Sequence, residues 1–161
     1  MITARPIVAD DAVEACTLLN EIIRIGGTTA FQTELSVVDF ANHYITGDDL
    51  ICCHVALDEG GQVAGFQWLG AKDTLPEGCG DIATFARQSN PVRGIGSALF
   101  AATTAAARTK GLTQINAKIR ADNTPGLGYY SKMGFVDHDV ARAQPLSDGT
   151  LVDRITKRFI L

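Results

Sequence analysis

The sequence predicts a single domain of the α/β (α+β) class, and three observations support that class. Seven strand-like runs and about four helical runs alternate along residues 1–161, with no internal repeat or linker between them. The apolar runs over 50–57 and 62–69 flank an acidic, glycine-containing turn, which predicts an antiparallel hairpin. A strand over 81–87, a glycine loop, a helix and a strand over 114–119 follow, which predicts a parallel right-handed crossover.

Composition and charge exclude several classes of protein. The chain has 161 residues, of which 46% are hydrophobic and 20% charged, so it is long and apolar enough to fold around a sizeable core. A formal charge of −4 and the lack of a dense basic run argue against nucleic acid as a partner. No apolar run is long enough to span a bilayer, and the first residues lack the pattern of a signal peptide. We therefore expect no membrane partner and a cytoplasmic location.

The cysteines and histidines do not predict a metal site. Cys16, Cys52, Cys53 and Cys79 form no Cys-x-x-Cys pair, and the three histidines show no ligand spacing. We expect reduced thiols that act as small hydrophobic side chains, and no metal.

The first half of the chain opens with a strand and two helices. A strand over 1–6 precedes a helix that begins after Asp10 or Asp11 and ends near Ile25, where two glycines follow. Ser36 is the predicted N-cap of a second, short helix. The polar segment between the two helices has neither the helical nor the strand period.

The second half adds two helices and three strands after the glycine loop. The predicted elements are a helix over 96–110, a strand over 114–119, a short helix, and last strands over 136–143 and 151–160. Thr124 is the predicted cap of the short helix, with Pro125 at its first position. Gly126 and Gly128 fall inside this helix, where each costs roughly 1 kcal/mol relative to alanine. Their presence predicts that another group passes close to that backbone.

The glycine loop around Gly94 and Gly96 is the stretch around which the chain is organised. It joins an apolar strand to an alanine-rich helix, and its glycines allow a tight turn and close approach of a ligand. Amides of a first helical turn lack intrahelical acceptors, so with the helix dipole they form a site for phosphate, and Arg93 adds a cation. On its own the spacing also fits a structural turn, because Leu99 stands where the dinucleotide fingerprint has a small residue.

A second motif lies downstream of this loop. Asn123 is followed seven positions later by Tyr130, and four positions after that by Gly134-Phe135. With this motif, the segment from Arg93 to Leu99 and the element order, the chain resembles the GNAT N-acetyltransferases. The resemblance implies their fold, a central mixed seven-stranded sheet flanked by about four helices, with acetyl-CoA as co-substrate.

Within that family the chain is similar to phosphinothricin acetyltransferases and their relatives that act on methionine sulfone. The polar segment over 28–34 resembles theirs, and Asp81 stands where they carry a glutamate, thirteen residues before the first loop glycine. The resemblance implies transfer of an acetyl group to the primary amine of a small amino-acid-like molecule. The loop departs from the family pattern at Gln88 and Pro91, and the proline removes one amide donor.

The resemblance also implies which residues hold acetyl-CoA. Strand residues would bind its pantetheine arm through the backbone, the loop would wrap its pyrophosphate, and an asparagine would hydrogen-bond its amide arm. The implied residues are Thr84, Phe85, Ala86, Val92, Arg93, Gly94, Ile95, Gly96, Ser97 and Asn123.

Two residues are predicted to carry proton transfer. Asp81 would take the proton of the acceptor ammonium, directly or through a water, although it also fits a structural cap at a strand end. Tyr130 would protonate the leaving thiolate, because an ordinary phenol (pKa about 10) lies close enough to a thiol (about 8.5) to donate at modest cost. A packed aromatic side chain is the alternative at that position. A free strand amide near Phe85 or Ala86 would stabilise charge on the thioester carbonyl.

The acceptor pocket and the competing functions stay open at this stage. Phe31, Glu34 and Trp68 are candidates for lining the pocket, and each also fits the core or the surface. Acetylation of a protein N-terminus, a lysine or a polyamine, or a non-catalytic acyl-CoA sensor, are alternatives to a small-molecule amine acceptor. Relatives of this type are commonly dimers with sites near the interface, so a homodimer is expected.

Overall fold

A computed structural model describes residues 2–161 and contains one mixed seven-stranded sheet. Met1, the first residue of the predicted strand over 1–6, lies outside the described residues. The strands are β1 (Thr3–Pro6), β2 (Leu50–Leu57), β3 (Val63–Gly70), β4 (Cys79–Ala86), β5 (Gln114–Arg120), β6 (Val136–Pro145) and β7 (Leu151–Ile160). Their order in the sheet is β1-β2-β3-β4-β5-β7-β6, and only β4 and β5 are parallel neighbours.

Four α-helices cover the sheet: α1 (Ala12–Ile25), α2 (Val37–Tyr44), α3 (Ile95–Thr109) and α4 (Thr124–Met133). The predicted α/β (α+β) class, the mixed seven-stranded sheet and the four helices are confirmed. Within residues 2–161, no helix is long and apolar enough to cross a membrane.

The helix caps differ from the predictions in two places. Ser36 caps α2 as predicted, since its hydroxyl accepts from Asp39 N at 3.1 Å. Asp11 precedes α1, but its carboxylate binds Arg5 and Val8 N rather than the helix end. The prediction that Thr124 caps α4 is wrong. Oδ1 of the preceding residue, Asn123, accepts a hydrogen bond from Gly126 N at 3.0 Å.

The two faces of the sheet hold separate cores. Helices α1 and α2 pack on one face, where Leu19, Phe40 and Phe66 are completely buried. Helices α3 and α4 cover the other, with Ile115 and Phe135 in their core. We call these the α1/α2 face and the α3/α4 face. Because strand side chains alternate between faces, each strand contributes to both cores.

The parallel strands β4 and β5 are paired along only the first half of β4. Residues Cys79–Ile82 of β4 pair with Gln114–Ala117 of β5, and no pairing joins the two strands beyond these residues within the described chain. The rest of β4, residues 83–86, therefore has one edge without a strand partner. We call the opening beside this edge the β4/β5 cleft.

Candidate active site

The β4/β5 cleft exposes backbone groups of alternate residues of β4. In an antiparallel pair of strands, the backbone N–H and C=O groups of every second residue bond the partner strand, and those of the residues between them point to the other side. Arg87 N donates to Ala64 O at 2.8 Å, so by alternation the backbone of Phe85 is directed to β3. The backbone groups of Thr84 and Ala86 therefore point to the cleft. The side chain of Phe85 lies on the α1/α2 face, buried in that core.

The glycine loop ends in helix α3 with the geometry of an anion site. Gly94 is the N-cap with φ of 89°, a left-handed conformation that favours glycine. Within residues 2–161, the first backbone hydrogen bond of α3 runs from Ala98 N to Gly94 O, so the amides of Ile95, Gly96 and Ser97 have no helical acceptor. Arg93 is exposed beside them. These amides and Arg93 are suited to bind a pyrophosphate.

The second loop glycine is required for a different reason. A Cβ at Gly96 would lie 2.5 Å from the ring of Tyr129, and the Tyr129 hydroxyl donates to Gly96 O at 2.8 Å. Tyr129 therefore links α4 to the first turn of α3 by a hydrogen bond. Sequence analysis missed this residue, because no local pattern specifies its contacts with Gly96 and Gln67.

Tyr130 lies at the wall of the cleft, beside Thr84 of β4. Its side chain is buried, and its hydroxyl shares a hydrogen bond of 2.8 Å with Thr84 Oγ1. Gln67 Nε2 donates to Thr84 Oγ1 at 2.9 Å and to the Tyr129 hydroxyl at 3.1 Å. Gln67 is completely buried and was also missed, since its place depends on the register between β3 and β4.

Burial controls the ionisation of both phenols. It raises the pKa of Tyr130 far above its ordinary value, and the hydrogen bond from Thr84 offsets only part of that effect. Burial also raises the pKa of Tyr129 to about 12, against hydrogen bonds from Gln67 and Thr84. Both side chains therefore keep their protons at neutral pH, which is the form that can donate.

Asp81 is held by two side chains on the α1/α2 face of β4. Its Oδ2 lies 3.0 Å from Lys72 Nζ, and its Oδ1 accepts from Asn116 Nδ2 at 2.9 Å. Asn116 in turn accepts from Arg158 Nε at 2.6 Å. Asp81 is 8% exposed and lies within β4. Its partners are side chains of neighbouring elements, so it does not cap a strand end. Both oxygens of the Asp81 side chain therefore have a hydrogen-bond donor beside them.

Both polar atoms of the Asn123 side chain already form hydrogen bonds within the chain. Its Oδ1 caps α4, and its Nδ2 donates to Thr28 O at 3.1 Å. Each of these atoms has one more hydrogen-bonding position, so a contact with acetyl-CoA stays a prediction. A Cβ at Gly126 would lie 2.4 Å from Asn123 Nδ2, whereas nothing lies within 4 Å at Gly128. The predicted close neighbour of Gly126 is therefore this asparagine.

The three candidates for the acceptor pocket lie in different surroundings. Phe31 lines a cavity of about 300 Å³ between the segment after α1 and the β6–β7 loop, together with Ile23, Gly26, Gly27, Gln32, Arg120, Leu146 and Thr150. Glu34 is ion-paired with Arg24 at 2.6 Å on the surface. Trp68 is buried and stacks on His43, with ring centroids 5.4 Å apart. The structure thus brings Phe31 to a cavity, and not Glu34 or Trp68.

The comparisons with known proteins agree with this geometry. The model of the acetyltransferase (GNAT) family matches residues 18–135, so the chain belongs to that family. A mycothiol acetyltransferase from Clavibacter michiganensis subsp. michiganensis is 35% identical over 86 residues, which are 52% of this chain and 26% of that protein. The chain thus spans about a quarter of the length of this curated relative.

Solved structures show the same fold. A phosphinothricin acetyltransferase from Sinorhizobium meliloti in complex with acetyl-CoA superposes with a TM-score of 0.86 at 21% identity, over 99% of this chain and 88% of that one. A ribosomal-protein-alanine N-acetyltransferase from Brucella melitensis gives 0.83 at 18% identity, over 99% of each chain. At the level of the family, the predicted enzyme class and acetyl-CoA as co-substrate are confirmed.

The buried phenols predict an alkaline titration coupled to unfolding. All three tyrosines, Tyr44, Tyr129 and Tyr130, have a pKa raised by burial. Above pH ~10, the pKa of a free tyrosine, the unfolded chain loses these protons while the folded chain keeps them, so the free energy of unfolding falls as pH rises. In an ultraviolet titration we expect little phenolate near pH ~10, then ionisation together with loss of circular dichroism.

The same titration in urea is the control, because the unfolded chain should ionise at the ordinary pKa. A tyrosine that ionised near pH ~10 with the circular dichroism unchanged would contradict the burial described for these side chains.

The contact between Gly96 and Tyr129 predicts a coupled pair of substitutions. Gly96→Ala should lower the free energy of unfolding by about 1–3 kcal/mol, because the new methyl overlaps the ring of Tyr129. In a Tyr129→Ala background the same change should cost little or nothing. Gly128→Ala, where the space is open, is the matched control and should stabilise by about 0.5–1 kcal/mol.

Urea unfolding of the four variants measures these differences. Equal effects of Gly96→Ala with and without the Tyr129 ring would show that the overlap does not exist.

Proposed function

We propose that this chain is an N-acetyltransferase that moves the acetyl group of acetyl-CoA to the primary amine of a small amino-acid-like acceptor of the phosphinothricin or methionine sulfone type. The observation that carries the proposal is the position of Asp81 and Tyr130 on opposite faces of β4, beside the β4/β5 cleft. We further propose a single domain over residues 1–161, a cytoplasmic location and a homodimer, as the sequence predicted.

The residues around the cleft fit acetyl-CoA in two ways. The amides of Ile95 to Ser97 and the guanidinium of Arg93 would bind the pyrophosphate, because they are donors without helical acceptors. The backbone of Thr84 and Ala86, unpaired towards β5, would bind the pantetheine arm. The thioester supplies the acetyl group. The Ala86 or Thr84 amide is the donor available for charge on its carbonyl oxygen, in place of the amide of Phe85.

Asp81 would hold the acceptor nitrogen on the α1/α2 face. An ammonium cannot attack a carbonyl until it loses a proton, and a carboxylate within hydrogen-bond reach can take that proton. Lys72 shows that an ammonium fits beside Asp81, since the two already form a hydrogen bond of 3.0 Å. Asn116 holds the second carboxylate oxygen and so fixes its orientation.

Tyr130 would protonate the leaving thiolate from the α3/α4 face. Its hydroxyl touches Thr84 Oγ1, and Gln67 holds that threonine in turn. Burial keeps the proton on the phenol and raises the pKa of Tyr130 further above that of a thiol, so donation to the thiolate costs more than the sequence predicts for an ordinary phenol. The acceptor side chain would extend to the cavity lined by Phe31 and Leu146, beside Arg120, whose guanidinium is paired with Asp122 at 2.7 Å.

An acceptor panel tests the proposed function most directly. With acetyl-CoA present, we expect phosphinothricin or methionine sulfone to release free CoA thiol faster than spermidine, a lysine peptide or an N-terminal alanine peptide. A thiol-reactive dye measures the release. The enzyme's own thiols add little signal, because Cys16, Cys53 and Cys79 are buried and burial raises the pKa of Cys52 to about 11.

The melting temperature with acetyl-CoA alone separates the alternatives. A rise in Tm with turnover of a peptide would replace the proposed acceptor by a protein acceptor. A rise without turnover of any amine would favour an acyl-CoA sensor, and no rise at a concentration of ~100 times Kd, where ~2.7 kcal/mol is expected, would contradict acetyl-CoA binding.

Substitutions at the two predicted catalytic residues test their roles. Tyr130→Phe keeps the ring but removes the proton, so kcat should fall by a factor of 10² to 10⁴, roughly, while the KM for acetyl-CoA changes little. Asp81→Asn should lower kcat, because an amide cannot take the proton of the acceptor ammonium. Steady-state kinetics of the two variants measures both effects.

Tyr44→Phe is the control, because Tyr44 is a buried tyrosine in the core of the α1/α2 face. We expect it to keep its activity. Unchanged turnover in Tyr130→Phe would remove Tyr130 from the acid role, and unchanged turnover in Asp81→Asn would remove Asp81 as the proton acceptor.

A further inference from the structure

The ammonium of Lys72 occupies the position that the proposed mechanism gives to the acceptor. A proton acceptor must lie within about 2.6–3.2 Å of the nitrogen that it deprotonates, or act through one water. Lys72 Nζ lies 3.0 Å from Asp81 Oδ2 and is itself a primary amine. It therefore meets, within the chain, the same requirement that an external acceptor has to meet.

The backbone at Lys72 is held in a hydrogen-bonded turn. Ala71 N donates to Asp49 O at 2.7 Å, and Lys72 O accepts from Leu75 N at 3.1 Å, so the residue lies in a hydrogen-bonded turn between β3 and β4. The side chain of Lys72 is 51% exposed, whereas that of Asp81 is 11% exposed. The lysine thus reaches from solvent to a nearly buried carboxylate, along the route that an amine from solution would take.

The surroundings of Lys72 also leave space for an acetyl group on its side chain. Lys72 lines a cavity of about 160 Å³ with Asn116, Lys118 and Arg158. This volume is several times the ~30 Å³ that one water molecule occupies in the liquid. An acetyl group on Lys72 therefore does not require the surrounding strands to move.

We propose that the chain acetylates its own Lys72 when no acceptor is bound, an inference that rests on the proposed function. Nζ loses a proton to Asp81 and attacks the thioester carbon, so that an N–C bond forms and the C–S bond breaks. The nitrogen loses a second proton, and the CoA thiolate takes one from Tyr130, which regains it from solvent. The products are Nε-acetyl-Lys72, free CoA and one released proton.

This modification would change the site that carries it. The product is a neutral amide, so the ion pair with Asp81 is lost, and Asn116 remains as the other hydrogen-bonding partner of the carboxylate. An external acceptor competes with Lys72 for the same position. Saturating acceptor should therefore protect Lys72 from acetylation.

Peptide mapping by mass spectrometry tests the proposal. The purified full chain is incubated with acetyl-CoA in the absence of any amine acceptor. We expect one acetyl group per chain, on Lys72, formed faster than on the exposed Lys110 and Lys132 by a factor on the order of 10². The rate per chain should not depend on protein concentration, because the reaction is intramolecular.

Three variants and a competitor provide the controls. Lys72→Arg should keep the ion pair but take no label, and Lys110→Arg should leave the label on Lys72 unchanged. Asp81→Asn should reduce labelling of Lys72 to the rate of the exposed lysines. Phosphinothricin at a concentration that gives turnover should slow the labelling of Lys72 alone.

The outcomes separate this inference from the proposed function. Turnover of an amine without acetyl-Lys72 would overturn the inference and leave the function intact. Acetyl-Lys72 without turnover of any amine in the panel would support the inference and remove the proposed acceptor class. Labelling of Lys72 at the rate of Lys110, or at a rate unaffected by Asp81→Asn, would show ordinary chemical acetylation and overturn the inference.

Discussion

The structure depends on the point at which β4 and β5 stop pairing. Backbone groups inside a sheet need partners, and those of Thr84 and Ala86 lose theirs after the pairing of Ile82 with Ala117. The crossover from β4 through α3 begins at the same opening, so the first turn of α3 and its unpaired amides lie close to the free edge of β4. One break in one ladder thus provides both a slot for an extended ligand arm and donors for its charged end. Tyr129 joins these two parts, since it bonds Gly96 of α3 and approaches β3 and β4 through Gln67.

The two-residue period of a strand places the groups proposed for proton transfer on opposite faces of β4. Asp81 and Thr84 are an odd number of residues apart, so their side chains lie on opposite faces of β4. The carboxyl group therefore faces α1 and α2, and the threonine that contacts Tyr130 faces α3 and α4. In the proposed mechanism, a group held between the strands would be reached by an amine from one face and by a proton donor from the other.

The fold and the two motifs could be recognised in the sequence, because each depends on signals within short stretches of the chain. Periodicity, glycines and hydroxyl caps act over a few residues, and the elements begin and end within two residues of their predicted bounds. The side-chain contacts depend on register between distant segments, which no local pattern specifies. Asn116 reaches Asp81 across 35 positions, and Gln67 reaches Tyr129 across 62. The same limit left the burial of Trp68 open in the sequence. The cap of α4 was assigned to the wrong residue for a local reason, since Asn123 and Thr124 both have the chemistry of an N-cap.

The environment of Asp81 also limits which form of the acceptor binds first. The side chain of Asp81 is 11% exposed, and a buried charge is costly unless it is paired. An incoming ammonium that displaces Lys72 exchanges one cation for another and keeps the pair, so little electrostatic stabilisation is lost. A neutral amine in the same place would leave the carboxylate with Asn116 as its other donor and no cationic partner. In the proposed mechanism the acceptor would therefore bind as an ammonium and lose its proton in place, and the exchange with Lys72 would be the step that admits it.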